Sequence, residues 1–265
     1  MKKCSFKEEK EILNGILKYF DYLCTKYNLN YSLYAGTLLG AARHNGFIPW
    51  DDDLDVIMPL DDYNNFLKIP EINNYNNKYV LHYRTTEKMN DEKYYYPFAK
   101  LEDSNTVSIY RKTFDKGGAF IDIFPIGGLP NTKAQRDIYY SQIVKLHNSI
   151  SNVASKFRNP YWKLYGFLHR RYYSSYRDKL IELQNQINFE ESTYVGQTVW
   201  LGDGEKRIFP RKWFDSYSLL TFEGKKYKVI SNYQECLELA YGDWKRLPPK
   251  TQQVPHHNYD LYVEK

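Results

Sequence analysis

The stretch YAGTLLGAARHNGFIPWDDDLDV, residues 34–56, joins a turn of small residues, a helical pattern and a cluster of four aspartates. Neighbouring carboxylates repel one another, yet this cluster leads directly into the apolar run VIM. The alternation predicts a strand over residues 53–58 that Pro59 ends. Because alternate residues of a strand share a face, Asp53 and Asp55 are expected on one face of it.

Two carboxylates on one strand face become favourable when a divalent cation offsets their repulsion. Oxygen ligands at this spacing suit Mg²⁺ or Mn²⁺. A third aspartate, Asp122, lies inside the apolar run FIDIF, where burial is costly unless the group is paired or bound to a metal. If its strand lies beside that of Asp53 and Asp55, the three carboxylates form a metal site.

The turn of small residues precedes the predicted helix. YSLYA, residues 31–35, has the pattern of a short strand, and Gly36 and Thr37 then open a helix that Gly46 is expected to stop. Small residues at a helix N-terminus leave backbone N–H groups accessible, and phosphate oxygens bind at such places. The Thr37 hydroxyl would add a further donor.

The remaining patterns predict an α/β fold of the α+β kind. Ser5 and Glu8 form a capping box that opens an amphipathic helix ending near Tyr27. We expect one domain over residues 1–265, with a mixed β-sheet core, flanking helices and a helical insertion at 132–188. Other predicted elements are a helix at 61–68, strands at 79–84, 97–101 and 107–110, an apolar run at 117–128 punctuated by Pro125, a hairpin over 219–230 that turns at Glu223 and Gly224, and a helix over 233–242 with a C-terminal glycine.

Length and composition indicate a globular protein. Its 265 residues are 42% apolar and 17% aromatic, which excludes general disorder. No run approaches the roughly 18 apolar residues of a membrane span, and the charged start MKKCSFKEEKE lacks the apolar region of a signal peptide. Cys4, Cys24 and Cys236 have no CxxC spacing and suit a reducing compartment. We therefore expect a cytoplasmic protein.

One segment, residues 145–179, is strongly basic, with eight Lys or Arg against the single acid Asp178. The simpler interpretation is a packed helix pair with a solvated charged face. The functional interpretation is peripheral contact with the inner, anionic face of the cell membrane, because basic helices rich in aromatic residues settle at such interfaces.

The order of strand, Gly-Thr helix, Asp-x-Asp strand and later aspartate strand resembles the nucleotidyltransferase superfamily of polymerase-β type. The gap between Thr37 and Asp53 exceeds that superfamily's usual gap. Four blocks are similar to those of the LicD family, which includes fukutin-related proteins. They are YAGTLLGAARHNGFIPWDDDLDV, FIDIFPIGG, FEGKKYKVISNY and AYGDWKRLPP, within residues 31–59, 97–130 and 209–257.

The resemblance implies an enzyme with a nucleotidyltransferase-like fold. Its expected reaction is metal-dependent transfer of phosphocholine from CDP-choline to a sugar hydroxyl of a bacterial surface glycan precursor. The acceptor would be a lipid-linked glycan, such as a teichoic acid or lipopolysaccharide precursor. An alternative keeps the enzyme class and changes the donor, so that phosphoethanolamine, glycerol phosphate or ribitol phosphate is transferred from its CDP carrier.

The resemblance also assigns residues. Two Mg²⁺ or Mn²⁺ ions are expected, and phosphotransfer would need them mainly for charge neutralisation and positioning. Asp51 and Asp52 match the motif and are expected to support the metal ligands or to cap the chain. The implied metal ligands are Asp53, Asp55 and Asp122, the phosphate-binding turn is Gly36 and Thr37, and the basic residues for the diphosphate are Arg43 and Lys100.

Aromatic and histidine residues are the weaker candidates. Choline is a quaternary ammonium ion, which aromatic rings bind by cation–π attraction, and Trp50 beside the aspartates is the best-placed ring. His256 and His257 form either an exposed pair or, in the case of one of them, a general base or metal neighbour at the site. The other aromatic candidates are Tyr94, Tyr95, Tyr96, Trp162, Trp200 and Trp213.

A function of another class is a nucleic-acid-binding or nucleotidyl-adding protein. The basic segment 145–179 and the superfamily resemblance favour it. Against it, positive charge is confined to that segment and no nucleic-acid-binding signature occurs, so no nucleic-acid partner is expected.

Overall fold

The computed structural model describes residues 1–72, 78–83, 96–110, 116–154, 168, 173–197, 204–255 and 259–263. Helices and antiparallel strands mix along the chain, which confirms the expected α+β class. The helices are α1 (Phe6–Lys26), α2 (Ala35–His44), α3 (Leu60–Phe66), α4 (Lys133–Ala154), α5 (Tyr173–Asn185) and α6 (Tyr233–Tyr241). The strands are β1 (Lys2–Lys3), β2 (Ser32–Leu33), β3 (Asp55–Pro59), β4 (Tyr79–His82), β5 (Ala99–Tyr110), β6 (Lys116–Leu129), β7 (Tyr194–Gln197), β8 (Ile208–Pro210), β9 (Tyr217–Phe222), β10 (Lys225–Ile230) and β11 (Tyr259–Val263).

A first compact unit comprises residues 1–81, 100–124 and 213–265. Its sheet has the order β1-β11-β5-β6-β3-β2, with β4 paired to β5. Strands β3 and β6 are neighbours although some sixty residues separate them in the chain, so the strand of Asp55 lies beside the strand of Asp122. This adjacency is the condition that a site of three carboxylates requires.

Helix α1 begins as predicted. The Ser5 Oγ accepts the Glu8 N–H at 3.3 Å, and a Glu8 carboxylate oxygen accepts the Ser5 N–H at 2.8 Å, which completes the capping box. The helix ends at Lys26, and Tyr27 is its C-cap. Its apolar stripe is fully buried, and the residues are Leu13, Ile16, Leu17, Phe20, Leu23 and Cys24.

Strand β3 begins at Asp55, two residues later than the sequence predicts. Residues 51–54 have no regular structure, because the chain turns where the Asp51 N–H donates to the Ile48 carbonyl at 3.0 Å. Asp53 therefore precedes the strand, and the prediction that it shares a strand face with Asp55 was wrong.

Helix α2 ends one residue before the expected stop. Asn45 takes the left-handed conformation at φ 55° and its N–H donates to the Gly40 carbonyl, so Asn45 rather than Gly46 ends the helix. At the other end, Ala35 has a φ of 46° and already belongs to the helix.

Two predicted breaks are bridged by continuous strands. β5 joins the expected strands at 97–101 and 107–110, because the Thr106 hydroxyl accepts the Ala119 N–H at 2.7 Å and holds the middle of the strand against β6. Pro125 lies inside β6 rather than ending it. A strand tolerates proline where its neighbours do not need the missing N–H.

The predicted hairpin and final helix are confirmed. β9 and β10 pair antiparallel, and the turn consists of Glu223 at φ 47° and Gly224 at φ 77°. Gly242 at φ 67° caps α6. All three cysteines are free.

A second compact unit comprises residues 82–99 and 125–212. The end of β6 pairs with β7, and β7 pairs with β8. Helices α4 and α5 pack through a core whose buried members are Leu129, Tyr139, Ile143, Leu180 and Leu183. Residues 155–167 and 169–172 of the expected helical insertion lie outside the described residues, and the single domain with an insertion at 132–188 stays a prediction. In the part of the chain that the structure describes, no helix is long and apolar enough to cross a membrane.

Candidate active site

A cavity of about 1030 Å³ opens in the first unit, beside the aspartates. Two groups of residues line it, and we name them the acidic wall and the C-terminal wall. The acidic wall is Ala35, Gly36, Leu39, Arg43, Ile48, Trp50, Asp51, Asp53 and Asp55. The C-terminal wall, which follows from the end of α6, is Tyr241, Asp243, Trp244, Arg246, Leu247, Pro248, Pro249, Gln252 and Val254.

The aspartates form one tightly coupled cluster. Carboxylate oxygens of Asp51, Asp52 and Asp53 lie within 4.8 Å of one another. The pKa of Asp51 is raised to about 8, first by burial and then by the charge of Asp53 and a hydrogen bond with it. Burial also raises the pKa of Asp55 well above its usual range, with added contributions from the charges of Asp53, Asp122 and Asp51. Each of these carboxylates therefore opposes the ionisation of its neighbours.

Asp122 lies beside the start of β3, as the sequence predicts. Its N–H donates to the Leu54 carbonyl at 2.9 Å, and its charge acts on Asp55. Its Oδ1 is 2.8 Å from the Nζ of Lys100, which is buried and lies 3.4 Å from the centroid of the Phe120 ring. The structure thus brings Lys100 to the aspartates through Asp122. The described lining of the cavity includes neither residue.

The first turn of α2 is built closely around the aspartates. A Cβ at Gly36 would lie 2.6 Å from the Asp51 Oδ2, so only glycine lets that carboxylate approach the helix. The buried Thr37 hydroxyl accepts the Asp55 N–H at 2.8 Å and joins α2 to the start of β3. Gly36 lines the cavity, whereas Thr37 is absent from its described lining.

Two residues that the sequence analysis missed hold the segment before the aspartates. The Nζ of Lys10, on α1, donates to the carbonyls of Ile48 and Pro49 at 3.1 Å each. The Glu223 carboxylate accepts the Phe47 N–H at 3.2 Å. The turn at Glu223 was predicted, but nothing in the sequence pattern indicates that its side chain would reach this segment.

Arg43 connects the two walls. Its Nη1 donates to the carbonyls of Trp244 and Arg246 at 2.9 and 3.3 Å, and its Nε donates to the His44 Nε2 at 3.0 Å. The residue lines the cavity as well, so the implied contact with a diphosphate stays a prediction.

The other aromatic and histidine candidates fall into three groups: one lines the cavity, Tyr96 and Trp213 are described but absent from its described lining, and the rest lie outside the described residues. Trp50 lines the cavity, while its described lining does not include Trp213. Tyr241, Asp243 and Trp244 were missed as site residues, although the block AYGDWKRLPP that contains them had been recognised. The candidates outside the described residues are His256, His257, Tyr94, Tyr95, Trp162 and Trp200.

The residues present fit a divalent cation. The donors are carboxylate oxygens, which Mg²⁺ and Mn²⁺ prefer. Burial and mutual repulsion raise the pKa of both Asp51 and Asp55, and bound positive charge would relieve that repulsion.

Comparisons with known proteins point to one family. The family model described as "LicD/FKTN/FKRP, nucleotidyltransferase domain" matches residues 28–147, which include the whole acidic wall. The lipopolysaccharide cholinephosphotransferase LicD of Haemophilus influenzae is 32% identical over 275 residues, which cover 99% of this chain and 100% of that protein.

Two further proteins match shorter parts of the chain. An uncharacterised protein of Rickettsia typhi is 41% identical over 70 residues, covering 26% of this chain and 23% of its own length. An uncharacterised protein of Rickettsia prowazekii is 52% identical over 44 residues, covering 17% of this chain and 16% of its own length. On the strength of the match over its full length, this chain belongs to the LicD family.

Proposed function

We propose that this protein transfers phosphocholine from CDP-choline to a sugar hydroxyl of a bacterial surface glycan precursor, in a reaction that requires a divalent metal ion. By its family and by a relative matched over its whole length, the chain is a phosphotransferase. That relative is named a lipopolysaccharide cholinephosphotransferase, so a lipopolysaccharide precursor is the first acceptor to test. The observation that carries the metal requirement is the buried cluster of carboxylates on one wall of the cavity.

The metal is proposed to be bound by the aspartates. We assign two Mg²⁺ or Mn²⁺ ions to Asp53, Asp55 and Asp122, and we add Asp51 because it lines the same wall as Asp53 and Asp55. When bound, such ions stabilise charge on the attacking and leaving oxygens of a phosphoryl transfer. Lys100 balances the charge of Asp122 and so fixes the position of that carboxylate.

Binding and positioning are the tasks left to the other residues, because phosphoryl transfer needs little covalent help. Helix α2 begins at the cavity with Ala35 and Gly36, and the positive end of its dipole favours an anionic group there. We assign the diphosphate of the donor to this end. Arg43 and Arg246 line the cavity and add positive charge to it.

A donor screen tests the proposal. The protein is heated with Mg²⁺ and, in turn, CDP-choline, CDP-ethanolamine, CDP-glycerol or CDP-ribitol, with CDP as the control. We expect CDP-choline to raise the melting temperature most, because a ligand that binds only the native state stabilises it more the tighter it binds, in proportion to the logarithm of its affinity. Equal shifts from all donors and CDP would mean that only the nucleotide is recognised.

Turnover tests the metal requirement. Release of CMP from CDP-choline in the presence of a lipopolysaccharide acceptor should stop with EDTA and return with excess Mg²⁺ or Mn²⁺. Full turnover in EDTA would contradict the role assigned to the aspartates. If the protein transfers only from another CDP-alcohol, the phosphotransferase activity stands and CDP-choline is replaced as its donor.

Contact with an anionic membrane through residues 145–179 remains part of the proposal for a lipid-linked acceptor. Much of this segment lies outside the described residues, and Arg177 within it is fully buried, so that cation is not available to a lipid surface. Sedimentation with anionic vesicles at low salt tests the contact. Absence of binding would exclude the membrane contact but would leave the proposed reaction unaffected.

A further inference from the structure

The C-terminal wall presents aromatic and apolar side chains that phosphoryl transfer does not need. Tyr241, Leu247 and Val254 are 45%, 52% and 51% exposed, yet they line the cavity that contains the aspartates. Trp244 lies among them and is half-buried. Apolar side chains grouped in a cleft beside charged residues indicate a surface that a ligand covers.

The C-terminal wall has one carboxylate of its own beside these side chains. The described lining of the cavity has four carboxylates and two guanidinium groups, those of Arg43 and Arg246. Three of the carboxylates belong to the acidic wall and are assigned to metal ions. The fourth is Asp243, which adjoins Trp244 on the C-terminal wall.

The indole of Trp244 already attracts a cation within the chain. The Nζ of Lys245 lies 5.5 Å from the centroid of the Trp244 ring. Cation–π contacts of this kind are stronger for tryptophan than for other rings. A trimethylammonium group has no N–H to donate, so aromatic faces and a nearby carboxylate are the protein groups that suit it.

The backbone of Trp244 is held in a fixed place. Its carbonyl accepts from the Arg43 Nη1 at 2.9 Å, and its N–H donates to the Gly242 carbonyl at 2.7 Å. Because Arg43 belongs to α2, the backbone that carries the ring is bonded to the same helix that begins beside the aspartates.

We propose that Trp244, with Tyr241 and Asp243, binds the trimethylammonium group of choline and so selects the alcohol that is transferred. The inference rests on the proposed function, since choline comes from the donor assigned above. It adds the subsite and its chemistry: a cation held by an aromatic face.

Two donors of the same shape test the subsite. CDP-choline is compared with the CDP ester of 3,3-dimethylbutanol, in which carbon replaces the charged nitrogen, and KM and kcat are measured for both. Trp244→Leu should raise the KM for CDP-choline about 2- to 30-fold, the range expected for loss of a cation–π contact, and should change the KM for the neutral donor much less. Trp244→Phe keeps a ring that attracts cations more weakly, so its KM for CDP-choline should lie between those of the wild type and Trp244→Leu.

Lys245→Met gives a second variant at an exposed position, where folding is not at risk. Without the internal ammonium, the ring should bind the donor's cation more tightly, and the KM for CDP-choline should fall about 2- to 5-fold. Equal changes in KM for both donors in the Trp244 variants, or no change in either, would overturn the proposal.

Direct binding separates this inference from the proposed function. Calorimetric titration of CDP-choline and its neutral analogue with Mg²⁺ needs no turnover. The wild-type chain could show no transfer and still bind CDP-choline more tightly than the analogue. If Trp244→Leu then removes this difference in affinity, the subsite stands and the proposed reaction fails. If transfer occurs with equal preference for both donors, the reaction stands and the subsite fails.

Discussion

The acidic wall and the C-terminal wall line the same cavity but are held in different ways. The aspartates of the acidic wall are buried or half-buried, and three separate elements hold this wall through Lys10, Thr37 and Glu223. The C-terminal wall is largely exposed, and Arg43 ties it to α2. The contrast separates two tasks, because metal-assisted chemistry needs ligands fixed to within fractions of an ångström, whereas choice of substrate tolerates adjustable surfaces. The following substitutions act on one wall or the other, from the largest expected effect to the smallest.

Asp55→Asn removes a charge from the centre of the acidic wall. We expect kcat to fall on the order of 10³-fold or more, because a lost metal ligand removes several kcal/mol of charge stabilisation. The fold should remain intact, since burial already raises the pKa of Asp55 and disfavours its charge. Steady-state kinetics and circular dichroism check both points. Asp61→Asn, at an exposed site in α3, is the control, and full activity of Asp55→Asn would exclude this residue from the metal site.

Gly36→Ala alters the same wall without changing a charge. The new Cβ would lie 2.6 Å from the Asp51 Oδ2 and must displace that carboxylate. Metal affinity, measured by titration with Mn²⁺, should fall by about 10- to 100-fold, as it does when the supports of metal ligands are lost. Gly15→Ala is matched, because its Cβ would approach the Tyr79 hydroxyl only to an ordinary 3.5 Å. That control should keep its metal affinity and gain about 0.5–1 kcal/mol in stability.

Arg43→Met detaches the C-terminal wall. Loss of hydrogen bonds to two carbonyls should raise the donor KM about tenfold and leave Mn²⁺ affinity unchanged. Hydrogen exchange of residues 243–246 should also become faster. A higher KM with unchanged exchange would instead place the guanidinium on the donor diphosphate, which is the role that the family resemblance implies. Arg43→Lys keeps the positive charge but not the planar guanidinium, and so separates the bond to the C-terminal wall from a charge contact with the diphosphate.

Asp51→Asn should stabilise the metal-free protein. Burial raises the pKa of Asp51 to about 8, so between pH 4 and this value the unfolded chain loses a proton that the folded chain retains. The free energy of unfolding therefore falls as pH rises through this window. Urea unfolding in EDTA at pH 8 should show a gain of about 1 kcal/mol or more for Asp51→Asn, and a smaller gain at pH 5. A less stable variant at pH 8 would show that the carboxylate is compensated in the fold.

Local signals were sufficient for much of the fold. The capping box at Ser5 and Glu8, the turn at Glu223-Gly224 and the cap at Gly242 each depend on residues adjacent in the chain, and each was confirmed. The start of β3 and the continuity of β5 were mispredicted, because they depend on bonds to distant residues such as Thr37 and Ala119.

The candidate site divides in the same way. Asp53, Asp55 and Asp122 stood out from their spacing and from the cost of burying a carboxylate in an apolar run. Lys10 and Trp244 did not, because a lysine on an amphipathic helix and a tryptophan near a glycine have many ordinary roles. Their importance follows from contacts that no local pattern reveals.

The bond between the Phe47 N–H and Glu223 spans 176 residues, and that between Arg43 and the Trp244 carbonyl spans 201. Contacts of such long sequence separation form slowly, because large loops must close first. During synthesis, a chain released only as far as β9 would contain all the candidate ligands but not the turn at Glu223 that braces the segment before them. Catalytic competence should therefore be the last property that the nascent protein acquires.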